Sequence, residues 1–238
     1  MVRYNTGPAL AAVIFDFDGL ILDTEGPAFQ SWQEIYEEHG CTLPMRIWET
    51  VLGGFSSAPV VCEYLETLLG RQIDRDAVFA RRQARKLELT ALESVLPGVE
   101  ECISSAQTLG VRLGLASSSS RGWVSEHLDR LGLGNAFACL RCREDVAQVK
   151  PEPDLYLAAL DGLGVGAGDA IALEDSPNGV TAAKRAGLFC VAVPNKLTAR
   201  LSLDHADLAL PSLDAMPLSE LLRLAAHTPR KALTPTAD

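Results

Sequence analysis

Residues 11–19, Ala11-Ala12-Val13-Ile14-Phe15-Asp16-Phe17-Asp18-Gly19 (AAVIFDFDG), join a short unbroken apolar run to two carboxylates and a glycine. A run of this length without polar alternation fits a strand buried on both faces. Similar runs recur at Val111–Ser117 (VRLGLAS), Ala170–Asp175 (AIALED), Phe189–Val193 (FCVAV) and Asp207–Leu210 (DLAL). Most are separated by stretches of helical periodicity, among them Val99–Leu109, Val124–Leu131 and Pro153–Leu163. Gly110, Gly132, Gly164 and Gly187 stand where helix C-terminal glycines belong. Short buried strands alternating with helices predict an α/β fold, with a parallel Rossmann-like sheet covered on both faces.

Between the first and second strands this rhythm breaks. Residues 25–93 carry helical patterns at Ala28–His39, Arg46–Val51, Pro59–Leu69 and Arg75–Ala91, and no convincing strand. The expected organisation is a core of residues 1–24 and 94–226 with a small all-helical domain, 25–93, inserted into it. Crossings near Thr24–Gly26 and Ser94–Gly98 would form a hinge pair. Residues 227–238, rich in Pro and Thr, are expected to be a mobile tail.

The 238 residues suit one principal core with an appendage, and 47% hydrophobic with 22% charged residues is the balance of a globular protein. The formal charge is −10, from 21 basic and 31 acidic side chains. Such a field repels polyanions, so neither a nucleic acid nor an anionic membrane is an expected partner. A small phosphate remains open, because a lysine, a cation and backbone N–H groups can reverse the field inside one pocket. No stretch approaches the roughly 18 apolar residues of a membrane span, and Met1–Leu10 does not read as a signal peptide. The six scattered cysteines (41, 62, 102, 139, 142, 190) fit buried free thiols in a reducing cytoplasm. Cys139 and Cys142 form a C-x-x-C with no second pair, beside Arg141 and Arg143, and read as a strand edge entering a loop rather than a redox or zinc site.

Four features carry chemistry, each at or just after the C-terminal end of an expected strand, where open parallel sheets bind ligands. In an extended backbone Asp16 and Asp18 point the same way. Two carboxylates beside a buried strand are costly without compensation, although a solvated Asp-Gly turn is the plainer alternative. Glu174-Asp175-Ser176-Pro177 again places acids after a buried strand, with Ser-Pro opening a helix. Two acidic strand ends on one edge suggest a hard, oxygen-ligated cation such as Mg²⁺; acids that merely cap the next helix would look the same. Ser117–Ser120 supplies hydroxyl and N–H donors for an oxyanion, and Lys150, in Val149-Lys150-Pro151-Glu152-Pro153, is a lone cation ahead of a helix. Each of these last two is weak by itself, since serine loops and exposed lysines are common.

The order D-x-D-G, strand-Ser, Lys-Pro, strand-Glu-Asp, with a helical insertion after the first motif, resembles the haloacid dehalogenase-like hydrolase superfamily, from Ala11 to about Leu213. Within it the chain is most similar to the subgroup of beta-phosphoglucomutases and small sugar-phosphate or phosphoglycolate phosphatases. The resemblance implies that Asp16 is the nucleophile and Asp18 the acid/base, with Ser117 and Lys150 completing the catalytic set. It implies Mg²⁺ held by Asp16, the Asp18 carbonyl and Asp175, with Glu174 a ligand or just behind one. Gly19, Ser117, Ser118 and Lys150 would contact the phosphoryl group. The helical insertion would be a cap, contacting the substrate through Thr24 and Glu25 at the hinge and through Gly54 and Ser56 in the Gly53-Gly54-Phe55-Ser56 turn.

The implied activity is Mg²⁺-dependent hydrolysis of a small phosphate monoester, such as a sugar phosphate, through an aspartyl-phosphate. Dehalogenation would not need Asp18, because halide leaves without a proton. A phospho-receiver binding module carries its aspartate after the third strand and has no cap. A phosphomutase of the subgroup has a cap histidine and a cap arginine; by alignment these positions are Ala28 and about Ser57 here, which favours water as acceptor. Arg81, Arg82, Arg85 and Lys86 could contact an anionic substrate, but a solvated helix face is the simpler expectation. A monomer is expected, since a moving cap leaves little obligatory interface.

Overall fold

The structure, a computed structural model, describes residues 10–53 and 58–231. Six strands form one parallel sheet: β1 (Ala12–Phe15), β2 (Arg112–Ala116), β3 (Cys139–Arg141), β4 (Ala170–Glu174), β5 (Phe189–Ala192) and β6 (Leu208–Ala209), in the order β3-β2-β1-β4-β5-β6. All four β1 residues are buried, as its central place between two helical layers requires.

The register explains where the acids emerge. Phe15 pairs with both Leu115 and Leu173, so β1, β2 and β4 end at one level. Asp16 N–H donates to the Leu173 carbonyl (3.0 Å), and Ser117 N–H to the Arg141 carbonyl (2.9 Å). The residues that follow the apolar runs therefore leave the sheet side by side.

Alternate side chains serve opposite faces. Val13, Phe15, Leu113, Leu115, Ile171 and Leu173 pack beneath α5 (Val99–Leu109), α6 (Arg121–Arg130) and α9 (Leu218–His227). Ala12, Ile14, Ala170 and Ala172 face α7 (Asp154–Leu163) and α8 (Pro177–Arg185). That second face is alanine-rich, which lets helices approach closely; a side chain at Gly114 would overlap Leu163. Cys139 belongs to the α7–α8 face and Cys142 to the other, so the C-x-x-C thiols point to opposite sides of the sheet. All six cysteines are free.

Helix α1 (Glu25–Glu38), α2 (Met45–Glu49), α3 (Ala58–Leu69) and α4 (Arg75–Leu92) lie between β1 and β2 and bury a separate cluster around Trp32, Ile35, Tyr36, Trp48, Val61 and Leu65. The two crossings run together: Leu22 and Val95 form an antiparallel bridge, and Leu96 N–H donates to the Ile21 carbonyl (2.9 Å). Asp23 Oδ1 accepts from the N–H groups of Glu25 (3.1 Å) and Gly26 (2.9 Å), filling at the start of α1 the capping role that Thr24 leaves unfilled.

β3, only three residues long, falls where Cys139 and Cys142 read as a strand edge entering a loop. α9, which buries Leu218, Leu221 and Ala225, has no counterpart among the expected helices. The expected tail is corrected at its start: His227 ends α9, Arg230 donates to the carbonyls of Ala167 and Gly168, and Lys231 N–H reaches Asp207 Oδ1 at 2.5 Å. Residues 232–238 lie outside the described part. Among the described residues no helix is long and apolar enough to cross a membrane.

Candidate active site

Three buried carboxylates gather where β1 and β4 end. Asp16, Glu174 and Asp175 each offer an oxygen, and these atoms lie within 4.8 Å of one another. Lys150 enters from the loop before α7, with its side chain only 6% exposed. Its Nζ donates to Asp16 Oδ1 (2.5 Å) and Glu174 Oε1 (2.6 Å) and lies 5.1 Å from the Tyr156 ring centroid. Tyr156 donates its hydroxyl to the same Glu174 oxygen (2.5 Å). Asn195 Nδ2 donates to Asp175 Oδ2 (2.9 Å) and to the Gly19 carbonyl (3.3 Å), joining the two motif loops.

One cation among three acids leaves negative charge in excess, and the carboxyls register it. Burial pushes Asp16 up to about 8 against the pull of Lys150, with Glu174 and Asp18 adding repulsion. Asp175 is driven well above the carboxylate range by burial and then by Asp16 and Glu174. For Lys150, burial works against the charge, but Asp16 and Glu174 outweigh it and raise its pKa. Glu174 Oε2 is buried with no hydrogen-bond partner. A crowded, under-compensated set of hard oxygen donors is a set that could hold a divalent cation. Close backbone approach is built in as well: a side chain at Gly179 would overlap the Glu174 carboxylate, and one at Gly19, whose φ is +82°, would overlap Asp175.

Asp18 stands apart from this cluster. Its Oδ2 accepts from the Ser119 hydroxyl (2.7 Å) and the Ser117 hydroxyl (3.3 Å), and its Oδ1 accepts from Trp123 Nε1–H (2.9 Å). The motif thus separates its two carboxylates. Asp16 faces a lysine and two acids, whereas the hydrogen bonds to Asp18 come from neutral donors. Ser117 is fully buried, and its Oγ also accepts from Ser119 N–H (3.0 Å). Ser118 Oγ is buried without a partner beside the cavity, a donor left free for an oxyanion.

The C-terminal end of the sheet and the helical segment enclose a cavity of about 450 Å³. Asp16, Asp18, Ser118–Ser120, Lys150 and Asp175 form its floor; Thr24, Glu25, Ala28, Trp48, Phe79, Arg82, Gln83 and Lys86 form its roof and walls. Gly19 and Ser117 do not line it, and Gly54, Ser56 and Ser57 lie outside the described residues. Asn178 Nδ2 bridges α8 to the helical segment through the Gly53 carbonyl (3.0 Å).

The solvated-face expectation for the basic run holds for half of it and fails for the rest. Arg81 pairs with Glu38 and Arg85 with Glu34 and Glu88 on the outer surface. Arg82 and Lys86, one helical turn apart, line the cavity instead. Burial lowers Arg82 to about 10 and also depresses Lys86, while Glu25, opposite them, is pushed up to about 7 by burial despite both cations. The i, i+4 spacing of Arg82 and Lys86 was the available signal. Trp123, Tyr156 and Asn195 carried none, because only tertiary approach gives them acids to meet.

Residues 13–193 match the family described as haloacid dehalogenase-like hydrolase. The relative named "Putative phosphatase YhcW" from Bacillus subtilis is 44% identical over 216 residues, covering 90% of this chain and 96% of its own. A phosphorylated carbohydrates phosphatase of Thermotoga maritima is 30% identical, over 75% of this chain and 82% of its own. A beta-phosphoglucomutase of Bacillus subtilis is likewise 30% identical, over 77% and 83%. Among solved structures, a HAD family hydrolase from Deinococcus radiodurans R1 with bound phosphate and sodium has a TM-score of 0.75 at 26% identity, covering 94% of this chain and 99% of that one.

Proposed function

The chain belongs to the haloacid dehalogenase-like hydrolase family and is a phosphatase of it, and we propose that it hydrolyses a small sugar-type phosphate monoester with Mg²⁺ through an aspartyl-phosphate on Asp16. The observation that carries this reading is the division of labour between the two motif carboxylates. Asp16 is anchored by Lys150 (2.5 Å) within the acidic cluster, and Asp18 is held on hydroxyl and indole donors beside it.

Asp16 attacks the phosphorus in line, and the bond to the leaving oxygen breaks as Asp18 delivers a proton to that oxygen. Asp18 then takes a proton from the water that cleaves the acyl phosphate. Lys150 and the unpartnered Ser118 hydroxyl take up charge on the transferring oxygens, whereas the Ser117 and Ser119 hydroxyls are engaged with Asp18. Mg²⁺, held by Asp16, Asp175, the Asp18 carbonyl and Glu174 directly or at one remove, would offset the repulsion between the anionic nucleophile and the phosphate. The helical segment would act as a cap that shields the reaction from water and selects the leaving group. Polar Glu25 and Gln83 beside the rings of Trp48 and Phe79 suit a polyhydroxylated leaving group, as does the carbohydrate-phosphate relative.

The mutase relative raises a second reading, against which Ala28 argues: it presents only a methyl group to the cavity where a mutase histidine would stand. Phosphate release across sugar, polyol and carboxylic-acid phosphates, with and without Mg²⁺, tests the proposal. Metal-dependent release is expected from wild type and none from a folded Asp16→Asn. Appreciable turnover by that variant, or isomerisation primed by a sugar bisphosphate without net release, would overturn it.

A further inference from the structure

Nothing in the mechanism so far needs Trp123, yet its indole is the group that holds Asp18 Oδ1 (2.9 Å). The ring is fixed from both domains. On the core side it meets His127 edge-on, with centroids 4.2 Å apart, and its backbone N–H is tied to the Ser120 cap of α6 (3.3 Å). On the other side Lys86 of α4 places its Nζ 5.2 Å from the ring centroid. An indole N–H can only donate, whereas the Ser117 and Ser119 hydroxyls on Oδ2 can donate or accept. The oxygen facing Trp123 must therefore always be an acceptor, and a proton on this carboxyl belongs on the other.

Accepting the phosphatase reading, we propose that Trp123 is a positioning residue: its N–H fixes the Asp18 rotamer and reserves Oδ2 as the oxygen that carries the proton. In the first half-reaction the Asp16–phosphorus bond forms and the phosphorus–oxygen bond breaks. The electron pair of the broken bond goes to the leaving oxygen, which takes the proton from Asp18 Oδ2. Because Lys86 belongs to the helical segment, the seating of that segment on the core bears directly on the ring that aims the acid.

The test compares wild type with Trp123→Phe, which keeps an aromatic ring between Lys86 and His127 but removes the N–H. The reading is kcat/KM for an alkyl phosphate and for p-nitrophenyl phosphate. An alkoxide needs the proton to leave, and nitrophenolate does not. kcat/KM covers only the steps up to phosphorus–oxygen cleavage, before water attacks. The alkyl phosphate value should fall by about tenfold to a hundredfold, while that for p-nitrophenyl phosphate changes by less than about threefold. The ratio of the two values is independent of the folded fraction, so partial misfolding cannot imitate the result. Equal losses on both esters, or none on either, overturn the proposal alone. A wild-type enzyme that releases phosphate from neither ester overturns the phosphatase reading and this inference with it.

Discussion

Lys150 is the sole positive charge in direct ion pairs with the acidic cluster among the described residues, bonded to both Asp16 and Glu174. Lys150→Met leaves buried acids without their partner, which costs about 3 kcal/mol. Thermal melts should show the metal-free variant destabilised and Mg²⁺ recovering more stability in it than in wild type. Glu25 makes a second residue-scale prediction. Its folded-state pKa of about 7 lies above the ordinary 4.5, so the folded protein binds this proton more tightly than the unfolded chain. That contribution to stability is complete below pH 4.5 and is lost as pH rises through 7. Glu25→Gln should therefore match wild type near pH 4 and exceed it by about 1–2 kcal/mol at pH 8 in urea melts, the cavity's water holding the gain to that size. Asp16, Asp18 and Asp175 were legible from the sequence because strand ends expose whatever follows the apolar run. Arg82 and Lys86 were legible only as a spacing, since a cation on a helix reads as solvated until another element covers it. Trp123 was not legible, because only the fold brings it to Asp18.

At the scale of elements, α8 is tied to the strands beside it by a buried ion pair. Lys184 Nζ lies 2.6 Å from both Asp207 oxygens, and Asp207 also accepts from the N–H groups of Cys190 (2.7 Å) and Lys231 (2.5 Å). Lys184→Met strands a buried carboxylate, which should cost about 3–5 kcal/mol in equilibrium unfolding, with kcat of the folded fraction unchanged. The central strands were readable as unbroken apolar runs, and helix ends as glycines with positive φ, such as Gly110 and Gly164. The edge was harder. β3 is three residues long, with Cys139 buried and Leu140 and Arg141 partly so, and neither length nor hydrophobicity sets it apart. α9 did carry a readable period in Leu218, Leu221 and Ala225, obscured by the proline before it and the polar stretch after it.

Across the whole molecule, a net charge of −10 surrounds a cavity whose walls bring together Lys150, Arg82 and Lys86. Sequence charge describes the far field, whereas the fold decides the local one, which is how an acidic protein can receive an anionic ester. The acids below lie where β1 and β4 end, whereas Arg82 and Lys86 above lie on α4 of the inserted helices, whose two crossings run together at the Leu22–Val95 bridge. The covalent role of Asp16 is the claim on which the rest depends. Brief turnover of a sugar phosphate, followed by borohydride reduction and peptide mass mapping, tests it most directly. The account predicts that Asp16 is converted to homoserine, since only an acyl phosphate is reduced in this way. Steady turnover with Asp16 unmodified, or with the reduced residue elsewhere, would contradict it.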